Sequence, residues 1–210
     1  MGSESSALVP LLSYVLVLDL GILFLAYYRK WFFLDIIALA GTAIISIVAF
    51  NMDWQVWYGQ AFLMAYFLLF IGVAVIYNNQ TRSNLLSLLL ANSLFFSIFS
   101  FVNLFDKLTN WLGLIALTFA AIYLGLYVRL NLKGKITPVF AKALLLLAFV
   151  FSLLIAPFQL DGVYCQIAWL AAAAIILYFS DLVKNKAAFF IALLIVASTF
   201  TYVLTNNQGI

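Results

Sequence analysis

The chain has 210 residues, of which 68% are hydrophobic and 8% charged, against roughly 25% charged in a soluble domain, so it lacks the polar residues to cover a water-facing surface and its solvent is lipid. A net charge of +3 is too small and too scattered for nucleic-acid binding. The absence of histidine removes His-ligated haem, His-based zinc sites and histidine general bases, and the single Cys165 makes no internal disulfide.

Crossing the hydrocarbon core as a helix takes about 20 predominantly apolar residues, and eight such stretches are present. Residues 1–6 precede them, polar and without Lys or Arg, unlike a secretory signal; Met1-Gly2-Ser3 reads equally as a native start or an expression scar. The first span, 8–28, carries Asp19 ten residues before Arg29, roughly 15 Å along the helix and so near mid-bilayer. A carboxyl there is either protonated or faces a polar partner. Proton coupling, substrate binding and a neutral hydrogen bond gluing helices together are the alternatives. Span 2, 32–50, holds Asp35 close to the Arg29-Lys30 turn, within snorkelling and pairing reach.

Span 3 is expected over 58–77, after Asn51-Met52-Asp53 and the interfacial Trp54 and Trp57. Span 4, 84–105, carries Asn92 beside Ser93, Ser97 and Ser100 at helical spacing. Small hydroxylated residues on one face predict close packing with interhelical hydrogen bonds, a pore lining being the alternative. Span 5, 109–130, opens on Trp111, and the Lys133-Gly134-Lys135 turn follows. Span 6, 138–159, starts on Pro138, a tolerated first-turn position, and contains Pro157 near its end, where it kinks or terminates the helix. Span 7, 163–180, holds Trp169, expected to pack inside the bundle, and ends at Ser180-Asp181, with Lys184 three residues on. Span 8 covers 187–205. The sum is an all-α polytopic membrane bundle of about eight transmembrane helices in four antiparallel hairpins, forming one transmembrane domain over 1–210.

Nine of the ten basic residues fall at one end: Arg29, Lys30, Arg82, Arg129, Lys133, Lys135, Lys142, Lys184 and Lys186, against Lys107 alone at the other. By the positive-inside rule the basic turns are cytoplasmic and both termini lie outside, as expected of a bacterial inner-membrane protein. Tyr27, Tyr77, Tyr127 and Tyr178 each close an outgoing span, at intervals of 50, 50 and 51 residues. The period fits four hairpins built alike by duplication, and equally any bundle of 20-residue spans with short loops.

No phosphate-binding glycine loop, metal cluster or Ser/His/Asp set is present, so no metal or cofactor is expected and any catalysis runs on carboxylates, lysines or tyrosines. Several stretches together resemble the YhhN family of eight-span membrane proteins, which includes lysoplasmalogenases. They are Ile136-Thr137-Pro138-Val139, the Ala173–Asp181 segment with its Ser180-Asp181 ending, Leu90-Ala91-Asn92-Ser93-Leu94-Phe95, and Phe70-Ile71-Gly72-Val73. Val73 and Asn92 stand where that family has an aspartate and a histidine. The resemblance implies a lipid held in the bundle, contacts from Asn92 and Ser180, and vinyl-ether hydrolysis on Asp181. On that resemblance Asp19 or Asp35 would replace the missing second carboxyl, the two dividing acid and base work. A weaker resemblance, carried by Val17-Leu18-Asp19-Leu20-Gly21 and Leu160-Asp161-Gly162 with Ala168-Trp169, is to very large multi-span bacterial membrane proteins. Two other functions stay open: a small proton-coupled transporter using Asp19, and a non-catalytic structural or assembly subunit. Membrane lipid is the partner expected; protein partners are not legible.

Overall fold

A computed structural model describes residues 4–29, 31, 33–50, 55–77, 83–105, 108–134, 136–160, 162–183, 196, 197 and 201. With no water in hydrocarbon, every backbone N–H and C=O has to be bonded within its own segment, and helices do this locally. The described residues accordingly form α1 (Glu4–Arg29), α2 (Phe33–Phe50), α3 (Val56–Ile76), α4 (Ser83–Phe105), α5 (Leu112–Leu132), α6 (Pro138–Gln159) and α7 (Gly162–Val183), with one 3₁₀ turn, Thr109–Trp111, before α5. Six of these, α1 to α6, are long and apolar enough to cross a bilayer, and α7 contributes an apolar stretch, Tyr164–Ala174. The expected eighth span lies outside the described residues except for Val196, Ala197 and Thr201.

Local chemistry sets the ends. α6 begins at Pro138, whose fixed φ and missing N–H suit a first turn. Gly134 takes φ 60° in the turn after α5, a left-handed conformation that glycine adopts without strain, and donates to the Asn131 carbonyl at 3.0 Å. Trp31, Trp57 and Trp111 are exposed at or beside helix ends, as interfacial anchors are.

The chain divides into two compact units. The first comprises Met1–Thr109 and Ala121–Ala148, and so α1 to α4 with the later part of α5 and the earlier part of α6. Its core is aromatic: Tyr66, Phe67 and Phe70 of α3 meet Phe96 of α4 and Tyr123 of α5, with ring centroids 5.9–6.3 Å apart. Side-chain contacts fix the depth of each helix against its neighbours. Tyr27 and Tyr77 pack ring to ring at 5.9 Å and the Tyr66 hydroxyl reaches the Leu12 carbonyl at 2.7 Å, so α1 and α3 run parallel, offset by 50 residues at the first contact and 54 at the second. Phe50 and Phe99 meet edge to face at 6.0 Å and align α2 with α4 at nearly the same offset. Tyr27 and Tyr77, one interval of that tyrosine spacing apart, therefore share a depth.

The second unit comprises Asn110–Ala120 and Phe149–Ile210. Phe119 stacks on Phe151 at 5.0 Å, and the Gln159 side chain occupies the space that a Cβ on Gly113 would need. Pro157 lies inside α6 without ending it. Lacking an N–H, it leaves the Leu153 carbonyl, four residues back, without its helical donor. The Trp169 indole N–H of α7 donates to that carbonyl at 3.2 Å. A neighbouring helix thus supplies the bond that the proline removes, which is how proline is tolerated within spans. Trp169→Phe should lower stability by about 0.6–1.7 kcal/mol, the range of hydrogen bonds between membrane helices, measured by unfolding in mixed micelles. Adding Pro157→Ala to that variant should recover part of the loss, because an alanine there restores the backbone donor; equal losses with and without the second change would refute the assignment.

Candidate functional site

Asp19 is 2% exposed, and its Oδ2 accepts a hydrogen bond of 2.5 Å from Thr42 Oγ1 of α2, itself 1% exposed. The Thr42 hydroxyl also lies 2.9 Å from the Ala38 carbonyl, one turn back on its own helix. On α3, the Tyr66 hydroxyl donates to the Leu12 carbonyl of α1 at 2.7 Å and lies within electrostatic reach of Asp19. Small residues on the buried face of α2, Ala38, Thr42, Ser46 and Ala49, let its neighbours approach closely enough for such bonds.

Asn92 of α4 is fully buried and donates through Nδ2 to the Phe67 carbonyl of α3 at 3.2 Å, while its Oδ1 has no hydrogen-bond partner among the described residues. Thr42, bonded to Asp19, falls level with Ala91, next to Asn92, by the 49-residue offset of the Phe50–Phe99 contact. Asp19, Thr42 and Asn92 thus share one depth. Asp19 stands eight residues from Tyr27 and Asn92 eight from Ser100, about 12 Å each way at 1.5 Å per residue, placing this level at the middle of a core ~30 Å thick. At the end away from the basic turns, Gln60 Nε2 donates to Ser100 Oγ at 3.1 Å, and Asn103 Nδ2 donates to the Val56 carbonyl at 3.0 Å and lies 3.4 Å from Gln60 Oε1. Ser93 donates to the Leu89 carbonyl at 2.6 Å and pairs with the Tyr123 hydroxyl. The serine stripe of α4 is therefore packed, with interhelical bonds at Ser93 and Ser100, as its spacing predicts.

A groove of about 880 Å³ runs between α1 and α3 from this middle level to the basic end. Leu23 and Val73 lie buried in its wall; Phe24, Tyr27 and Ile76 stand exposed at its rim. Gly72 lies in the same lining, with open space where its Cβ would be. Among the described lining residues there is no carboxyl or amine, and the ionisable groups are the Tyr27 and Tyr77 hydroxyls.

Of the sequence-predicted site residues, the structure brings Asp19 and Asn92 to one depth of the first unit. α7 runs through Ser180 and Asp181, but their side chains lie outside the described residues. Asp35 is 3% exposed, so it is enclosed by the protein instead of snorkelling outward. Sequence reasoning missed Thr42, Tyr66 and Gln60. Thr42 and Ser46 stand four apart in an otherwise apolar span, a signal of the same kind as the serines of α4. Tyr66 is a single aromatic among many, and nothing in its neighbourhood announces a hydroxyl directed at another helix.

Fold and site together define a polytopic helical membrane protein with a polar middle layer. Within that class, the profile of the family described as predicted membrane protein (DUF2339) matches residues 1–207, and the chain belongs to that family. No curated protein and no solved structure matches it.

Thr42→Val keeps the shape of the side chain and removes the donor to Asp19, leaving a buried carboxyl oxygen unsatisfied at about 1–3 kcal/mol. Thr42→Ser should retain most of the stability, and unfolding of the two variants in detergent compares them.

Proposed function

We propose that this protein holds a membrane lipid, with one acyl chain lying in the groove between α1 and α3. The observation that carries this reading is the groove itself. Its wall is hydrocarbon and aromatic, and its rim residues are exposed on the lipid-facing surface. Along α1 it runs from Leu20 to Tyr27 and along α3 from Leu68 to Tyr77, about 10–14 Å by the helical rise, close to one leaflet of a core ~30 Å thick. The Tyr27–Tyr77 pair closes its outer end, and Arg29, exposed two residues beyond Tyr27, stands where a headgroup phosphate would lie. Lys30 and Arg82 follow in sequence at the same end. Basic turns at this end support a cytoplasmic orientation, and the occupant is then a phospholipid of the inner leaflet.

Val73 bears on whether holding is accompanied by hydrolysis. It lines the groove at the position where the YhhN family, which the sequence resembles, has an aspartate. Cleaving a vinyl ether requires a proton donor and a water-activating base, and among the described residues the groove lining has neither a carboxyl nor an amine. Holding without cleavage is the reading that the lining supports. Asp181 and Asp19 are the carboxyls that an enzymatic function would use. Incubation of the purified protein with lysoplasmalogen, with assay for fatty aldehyde, separates the two: release of aldehyde reinstates hydrolysis, and no release leaves lipid holding alone.

Gly72→Trp should fill the groove from its wall. Native mass spectrometry of the detergent-extracted protein should show a retained phospholipid in the wild type and its loss in Gly72→Trp, with the unfolding midpoint little changed. A wild type that retains no lipid, or a variant that retains it unchanged, overturns the assignment.

A further inference from the structure

The middle-layer carboxyl is bonded in a way that lipid holding does not use. Thr42 has one hydroxyl hydrogen and two acceptors within reach, Asp19 Oδ2 at 2.5 Å and the Ala38 carbonyl at 2.9 Å. When Asp19 is a carboxylate, Thr42 donates to it. When Asp19 carries a proton, the carboxyl donates to Thr42 Oγ1, and the threonine hydrogen turns to Ala38. A hydroxyl donates once and accepts twice, so both charge states are hydrogen-bonded with the same heavy-atom positions.

The approaches to this carboxyl differ on its two sides. Toward the end away from the basic turns, buried polar side chains continue at successive depths: Ser46 on α2, Ser97 and Ser100 on α4, then Gln60 of α3 and Asn103 of α4. Gln60, Ser100 and Asn103 are joined by hydrogen bonds, and the Phe50–Phe99 contact sets α2 beside α4 so that Ser46 and Ser97 fall between that cluster and Asp19. Toward the basic end, the buried residues next along the helices are apolar for about two turns, Leu23 and Ala26 on α1, Ala38 and Leu39 on α2, Phe70, Ile71 and Ala74 on α3, before the buried Asp35 of α2 is reached. Asn92, level with Asp19, holds an unpartnered Oδ1 in the same layer, an acceptor suited to a water molecule.

We infer that Asp19 is a proton-binding site loaded from the end away from the basic turns, along the lane of buried hydroxyl and amide groups on α2, α3 and α4. The proton passes from hydronium in that lane to Asp19 Oδ2, and water is left behind. The groups around Asp19 are Thr42 from α2 and Tyr66 from α3, both neutral. Asp35 of α2 and Arg29 of α1 stand about 10 and 15 Å away along their helices by the rise per residue. Asp19 makes its hydrogen bond to a hydroxyl and, among the described residues, no ion pair to a cation, so a change in its charge is not masked by a bound Lys or Arg.

Two measurements on the full-length protein in sealed proteoliposomes of known orientation test this. In a Cys165→Ser background, Ser46→Cys, Ser97→Cys and Ser100→Cys should react with a membrane-impermeant cationic thiosulfonate from the end away from the basic turns. Leu39→Cys should stay unreacted from the basic end. In pH-difference infrared spectra, a protonated-carboxyl band should rise on acidification, vanish in Asp19→Asn and shift in Asp19→Glu, the second variant guarding against a fold lost with the first. Folded protein in which Ser46→Cys and Ser97→Cys stay unlabelled, or label from the basic end, overturns the lane. A carboxyl band that ignores pH, or that persists unchanged in both Asp19 variants, overturns the proton site. Neither readout depends on a bound lipid, so the groove and the proton site stand or fall separately.

Discussion

Hydrocarbon offers a carboxyl group neither a donor nor a counter-ion, so a chain that carries Asp19 at mid-bilayer has to provide for it from within. Thr42 does so, and much of the first unit follows from that single bond. It requires α1 and α2 to approach closely at one depth, which the small buried residues of α2 permit. Once α1 and α2 are fixed, the Tyr27–Tyr77 and Phe50–Phe99 contacts carry α3 and α4 to matching levels. Asp19, Thr42, Gln60 and Asn92, one from each of the four helices, then fall inside the bundle and not against lipid.

Two neighbouring sets of residues on α1 differ in chemistry. Toward α2, Asp19 meets hydroxyl and amide groups that continue to one end of the bundle. Toward α3, Leu20, Leu23 and Phe24 line a groove with nothing for a polar ligand to bond except two tyrosine hydroxyls. In water such a groove would collapse or bind a partner; in a membrane it is wetted by acyl chains at little free-energy difference from the bulk lipid. The two proposed sites, for a proton and for a lipid, thus lie in one unit and draw on different residues of a single helix, Asp19 for the first and Leu20, Leu23, Phe24 and Tyr27 for the second.

The second unit shows the same constraint acting on the backbone. A proline within a span removes a donor that no water can replace, and Trp169 reaches across from the next helix to restore it. Gly113 and Gln159 show a tolerance of the opposite kind, a missing side chain making room for a long one. In both cases a residue that looks like a local weakness is matched by a specific neighbour.

Length and hydropathy alone determined the class of protein, the bounds of the described helices to within a few residues, the turn at Gly134, the start of α6 at Pro138 and the exposure of the interfacial tryptophans, because each follows from a local property of the chain. The depth of Asp19 was also legible, since counting from Arg29 needs only the rise per residue. Its partner was not. Thr42, Tyr66 and the Leu153 carbonyl bonded by Trp169 are matched across helices, and that depends on the rotation and relative depth of each helix. Spans that are hydrophobic all round carry little record of either. Val73 makes the same point: in sequence it is one valine in an apolar run, and only the packing of α3 beside α1 makes it part of a groove.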